Sequence, residues 1–164
     1  LTQQRMVSLY DFGGGGIVNL TTHDQPLLEE ARKLLERTRW DGPMLFDFIR
    51  SSNGEIYLLE CNPKIWGTTD LTLDAGVDLF GIMTKVFEGR ERVEGVDKYE
   101  IGLLYRWWFP EITYHWFHRP FSVPRLIRRV RRTAHRYGAR RVASNLKRRD
   151  LGHLAAIVVD RARD

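Results

Sequence analysis

Met44–Lys64, MLFDFIRSSNGEIYLLECNPK, reads as two strands joined by a tight turn, and the organisation of the chain follows from that reading. Asn53-Gly54 is a strong short hairpin signal, because both central positions of a type I′ turn need positive φ and these residues adopt it at low cost. With those two residues as the loop, Ser52 faces Glu55, Ser51 faces Ile56, and the pairing sets Asp47 directly across from Glu60. Directly opposed residues share a face with Cβ atoms about 5 Å apart, where like charges destabilise the sheet. At an effective dielectric of about 20, such a pair repels by about 3 kcal/mol, a large fraction of a domain's net stability. Leu45, Ile49 and Leu58 are expected on the same face, so the two acids stand within an apolar surface and require compensation.

A divalent cation between the acids is the most economical compensation. Asn62, two residues beyond Glu60 and so on the same side, adds a neutral oxygen ligand. Hard oxygen donors with few protein contacts suit Mg²⁺ shared with phosphates. The competing reading pairs Asp47 with Lys64 or an arginine at a strand end and lets Asn62-Pro63 simply stop the strand.

The run LLECNPKIWG, with Asp47 thirteen positions before Glu60 and with DAGVDLF following, resembles the C-terminal signature of the ATP-grasp superfamily over roughly residues 1–90. The likeness is to the carbamoyl-phosphate-synthase-like and D-alanine:D-alanine-ligase-like members. The resemblance implies a ligase that activates a carboxylate with ATP as an acyl phosphate, which an amine or other nucleophile then displaces. It implies ATP and two Mg²⁺ as cofactors, with Mn²⁺ a permitted substitute. Asp47, Glu60 and Asn62 correspond to the metal-holding positions, and Glu60, Asn62 and Lys64 to the cofactor-binding ones. Lys64 and Arg5 correspond to the catalytic positions, and Gly15-Gly16 to a glycine pair near the substrate or phosphates. Lys64 stands where the family pattern has Arg, which keeps the charge but replaces a bidentate fork by a point charge.

Composition allows one good core with room for a small appendage: 164 residues, 43% hydrophobic. The single cysteine, Cys61, cannot form an internal disulfide and reads as a small core residue, which favours a reducing, cytoplasmic setting. There is no signal-peptide pattern and no apolar run long enough to span a bilayer. The chain begins without Met and enters strand-like sequence at once, which reads as a piece of a longer protein. Net charge is +5 but uneven: residues 1–105 carry 11 Lys/Arg against 17 Asp/Glu, residues 106–164 carry 15 against 4. The expected organisation is an incomplete ATP-grasp C-terminal subdomain over 1–98 and an aromatic, basic extension over 99–164. The fold class is α+β, an antiparallel sheet with packed helices followed by a basic, mainly helical extension.

In chain order, Leu1–Asp11 is expected to be a strand or extended entry. Gly13–Gly16 fits neither the dinucleotide nor the Walker frame, and a flexible turn is the simpler reading. Asp24–Arg39 is amphipathic, with Leu27, Leu28, Ala31, Leu34 and Leu35 on one face, expected to pack on the hairpin, and Trp40-Asp41-Gly42 ending it. A short helix ends at Ala75 before Gly76, and Asp78 caps a second whose buried stripe is Leu79, Ile82, Met83, Val86 and Phe87, stopped at Gly89. Trp66 and Thr68 read as core, or as substrate contacts by the resemblance. Residues 88–98 read as an exposed connector and Glu100–Phe109 as a strand stopped by Pro110.

His115 and His118 have metal-pair spacing but no third ligand nearby, so an aromatic contact surface is the default. A helix over Ser122–Tyr137 places Leu126, Ile127, Val130 and Ala134 inward and an almost unbroken arginine face outward; a last helix follows Asp150. The basic region 125–149 suits a solvated or domain-docking face, an anionic membrane surface, an acidic protein surface, or nucleic acid, though no nucleic-acid motif accompanies it.

The leading reading is the C-terminal part of an ATP-dependent ligase whose carboxylate and nucleophile are unidentified. Neither the ATP lysine nor the flexible glycine-rich loop of the other ATP-grasp subdomain is visible, so weak ATP binding and no turnover are expected without that region or another chain. The alternatives are a non-catalytic, degenerate ATP-grasp module and a basic module peripheral to a membrane or bound to nucleic acid.

Overall fold

The computed structural model describes residues 1–10, 13–89, 96, 98–108 and 123–145. In chain order the elements are β1 (Thr2–Tyr10), β2 (Gly13–Thr22), α1 (Gln25–Thr38), β3 (Leu45–Arg50), β4 (Ile56–Asn62), α2 (Thr69–Asp74), α3 (Leu79–Phe87), β5 (Leu103–Arg106), α4 (Val123–Arg136) and β6 (Arg141–Ser144). The strands form a four-stranded sheet of order β1-β2-β5-β6 and a separate β3-β4 ribbon. The class is mixed α+β, with antiparallel strands and helices. Among the described residues beyond 98, α4 stands with two short strands, β5 and β6, of the larger sheet. The predicted helix after Asp150 and the His115/His118 pair lie outside the described residues.

Two compact units emerge, Leu1–Gln4 with Leu20–Leu103, and Arg5–Asn19 with the described part of Leu104–Asp164. In the first, the buried apolar residues are Leu71, Ala75, Val77, Leu79 and Leu103. The buried Thr21 hydroxyl donates to the Glu100 carbonyl at 2.7 Å and accepts from the Leu103 amide at 2.9 Å. Tyr99 plays a similar part: its hydroxyl donates to the Thr22 carbonyl at 2.7 Å and accepts from the Thr2 amide at 3.2 Å.

Helix α1 starts as expected at Asp24, whose carboxylate caps the Leu27 amide, and ends at Arg39 in the left-handed region, φ 50°. Its apolar stripe is only half-buried: no α1 side chain is fully covered. An ion pair ties the helix to the hairpin: Nη2 of Arg50 on β3 donates to both oxygens of the Asp24 carboxylate, at 2.7 and 2.9 Å.

Asp78 caps α3 by accepting from the Gly81 amide at 2.9 Å, and Gly76 and Gly89 take the positive φ values that punctuate α2 and α3. The predicted α3 stripe is too wide. Leu79 is buried and Ile82 and Met83 half-buried, but Val86 is 44% and Phe87 85% exposed, because the last turn reaches beyond the covered surface.

In the second unit, the core is Ile17, Val18, Leu104 and Tyr105, with Asn19 and Arg106 buried beside them. The Trp107 amide donates to the Ile17 carbonyl at 3.0 Å; at the end of β5 the Trp108 amide donates to the Asn145 side-chain oxygen at 3.0 Å and the Asn145 amide to the Arg106 carbonyl at 3.3 Å. Gly13–Gly16 opens β2 rather than forming a turn. Gly16 is required there by packing, since a Cβ would collide with the amide oxygen of buried Asn19. In α4, Ala134 is half-buried as expected but Ile127 is 51% exposed.

Candidate functional site

The hairpin turn differs from the one expected. The Ser51 amide donates to the Glu55 carbonyl at 2.9 Å and the Gly54 amide to the Ser51 carbonyl at 3.0 Å, which closes a three-residue loop, Ser52-Asn53-Gly54. Only Gly54 takes positive φ, 90°; Asn53 does not, so this is not a type I′ turn, and Ser51 faces Glu55 instead of Ile56. Loops of this kind carry one glycine in the left-handed region, which Gly54 supplies.

The ladder then runs Arg50↔Ile56, Ile49↔Tyr57 and Phe48↔Leu58, shifts once, and continues Asp47↔Glu60, Phe46↔Cys61 and Leu45↔Asn62. The skipped residue is Leu59, a bulge in β4 that is 65% exposed. The longer loop and the bulge offset one another, so Asp47 opposes Glu60 although the register near the turn is displaced by one. The bulge also exchanges neighbours. Leu58, expected beside the acids, opposes Phe48 on the other face, and Tyr57 takes its place opposite Ile49.

One ribbon face therefore carries Leu45, Asp47, Ile49, Tyr57, Glu60 and Asn62 by ladder position. Asp47 and Asn62 are half-buried; Glu60 is exposed. Lys64 is exposed, just past Pro63, where its amide donates to the Asn62 carbonyl at 2.9 Å. Cys61 is exposed rather than a core residue, because a ribbon of two strands buries none of its residues fully. Near the turn, Glu55 accepts from the Asn53 amide group at 2.7 Å and the Tyr57 hydroxyl at 2.8 Å. These bonds hold the Glu55 carboxyl below its usual range and raise the Tyr57 phenol.

Trp66 is half-buried with its indole N–H on the Thr72 hydroxyl at 3.2 Å, and the Thr68 hydroxyl accepts from the Gln3 side chain at 2.6 Å. Both have polar partners within their own unit. Arg5 is exposed on β1, and Gly15 and Gly16 lie on β2; all three belong to the other compact unit.

The cluster fits a hard divalent cation by donor chemistry: two carboxylates on one rung, an amide oxygen on the same face two residues on, and enough exposure for water or phosphate to complete the shell. No group of three or more His, Cys, Asp or Glu with metal-holding geometry occurs among the described residues. Sequence reasoning missed Tyr57 on this face, since nothing in YLLE announces a bulge.

A search of the curated proteins finds no match to the chain, and neither does a search of the solved structures. A scan of family models does: residues 12–107 match the family described as ATP-grasp in the biosynthetic pathway with Ter operon. That span is more than half of the chain and contains Asp47, Glu60, Asn62 and Lys64. The chain therefore belongs to this ATP-grasp family.

Proposed function

We propose that the β3-β4 hairpin is the metal- and phosphate-holding part of an ATP-dependent ligase-like site, one that joins a carboxylate to an amine or related nucleophile through an acyl phosphate. Family membership supports ATP dependence and ligase-like chemistry. The observation that carries the site is the opposition of Asp47 and Glu60 on one rung, with Asn62 on the same face. Two carboxylates in that relation repel, and a dication between them offsets that repulsion.

Asp47, Glu60 and Asn62 are the residues that would hold Mg²⁺. When bound there, the ion neutralises charge on phosphate oxygens. Lys64, exposed at the end of the same strand, offers an ammonium to a phosphate or acyl phosphate as a point charge. Arg5 is proposed as a second cation for the substrate or phosphates. None of these roles requires a protein nucleophile.

Calorimetric titration of the full chain with ATP, in Mg²⁺ and again in EDTA, tests the proposal. Nucleotide binding is expected to require Mg²⁺, and Asp47→Asn and Glu60→Gln each weaken it about tenfold or more, the effect of losing one charge-assisted contact. Lys64→Ala should weaken nucleotide binding at saturating Mg²⁺, while Lys64→Arg retains it. Binding that ignores EDTA, or that survives both carboxylate changes in variants with unaltered melting, overturns the site.

A further inference from the structure

Helix α4 is the feature that the hairpin site leaves unused. Its fourteen residues, VPRLIRRVRRTAHR, contain six arginines, one histidine and no acid, and no Asp or Glu occurs anywhere between Glu111 and Asp150. At 3.6 residues per turn the sequence separates the basic positions from an apolar sector that includes Ile127 and Ala134. Arg128, Arg131, Arg132, His135 and Arg136 are all exposed. Ile127, on the apolar side, is 51% exposed. The stretch leading into the helix, WWFPEITYHWFHRPF over residues 107–121, holds seven aromatic residues with His115, His118 and Arg119 among them.

We propose that α4 is an interfacial helix that seats the chain on an anionic phospholipid surface. Three observations choose lipid over another polyanion. The cationic face is continuous and lacks the interspersed acids of an ordinary solvated helix. The apolar sector keeps a half-exposed isoleucine, which a bilayer boundary covers and a phosphate backbone does not. Trp, Tyr and Phe adjacent in sequence are the residue types that settle at the headgroup level. The helix is too short and too charged to cross a bilayer; it would lie along the surface.

The test is flotation of the full chain with vesicles of phosphatidylcholine alone and of phosphatidylcholine mixed with phosphatidylserine, with duplex DNA at the same salt as the competing polyanion. Binding only to the phosphatidylserine vesicles is expected, weakening steeply with salt. Each basic residue near such a surface is worth about fivefold, so Arg128→Gln/Arg132→Gln should lower vesicle affinity about 25-fold. Ile127→Ser should lower vesicle binding several-fold and leave any DNA binding unchanged. All three side chains are exposed, so melting should not move; Arg131→Gln/Arg136→Gln replaces the first pair if it does. Equal binding to both vesicle types, or DNA binding as tight as vesicle binding with both insensitive to Ile127→Ser, overturns the proposal.

Discussion

Gly16 shows how a single atom constrains a strand. Glycine in a strand interior ordinarily weakens it, yet a Cβ at this position meets the amide oxygen of Asn19, which is only 4% exposed. Gly16→Ala is expected to lower stability by about 1–3 kcal/mol, as overpacking does, whereas Gly15→Ala, with nothing within 4 Å of its Cβ, should be tolerated. Comparing denaturant midpoints of the two variants checks the contrast. Glu55 gives a second residue-level test. Its carboxyl is held down, first by the Asn53 amide and then by the Tyr57 hydroxyl. A depressed folded-state value means that this contribution is complete above its unfolded value, near pH 4.5, and is lost as pH falls through the lower folded value. An NMR titration should place the Glu55 midpoint below that of an ordinary glutamate, and Asn53→Ala should move it back up.

At the scale of elements, the hairpin was legible where its chemistry is local and illegible where it is geometric. Asn53-Gly54 marked a turn and the apolar runs marked two strands, so the elements were readable; the expected opposition of Asp47 to Glu60 holds because the loop and the bulge cancel. The three-residue loop and the Leu59 bulge were not readable. Each displaces the ladder by one, in opposite senses, and neither has a sequence mark beyond the glycine both turn types share. The burial of Cys61, Val86 and Phe87 was misjudged for another reason. Periodicity identifies an apolar face, not whether anything covers it. Gly54→Ala should destabilise the hairpin by roughly 1–2 kcal/mol, since φ of 90° penalises any Cβ. Between elements, Thr21 joins β2 to the residues entering β5 through one hydroxyl that both donates and accepts. Thr21→Val keeps the shape but strands the amide of Leu103, which is fully buried, so a loss of about 1–3 kcal/mol is expected in thermal or denaturant unfolding.

At the scale of the whole molecule, none of the buried side chains among the described residues lies on the ribbon that carries the candidate site. The larger sheet, the α2–α3 segment and its connection supply the buried side chains; β3 and β4 supply none. A ribbon freed from core duty can keep carboxylates at its surface, where water lowers the cost of their charge. The sequence marked the acidic N-terminal stretch and the basic C-terminal one, but not that β5 and β6 would join the larger sheet, because strand order depends on contacts distant along the chain. The central claim is that Asp47 and Glu60 tolerate their proximity by sharing a metal. Mn²⁺ added with ATP to isotopically labelled protein reads this directly through paramagnetic broadening of amide resonances. Broadening should begin at residues 45–49 and 58–64 and disappear in the Asp47→Asn/Glu60→Gln double variant; broadening that starts elsewhere, or persists in that variant, would contradict the claim.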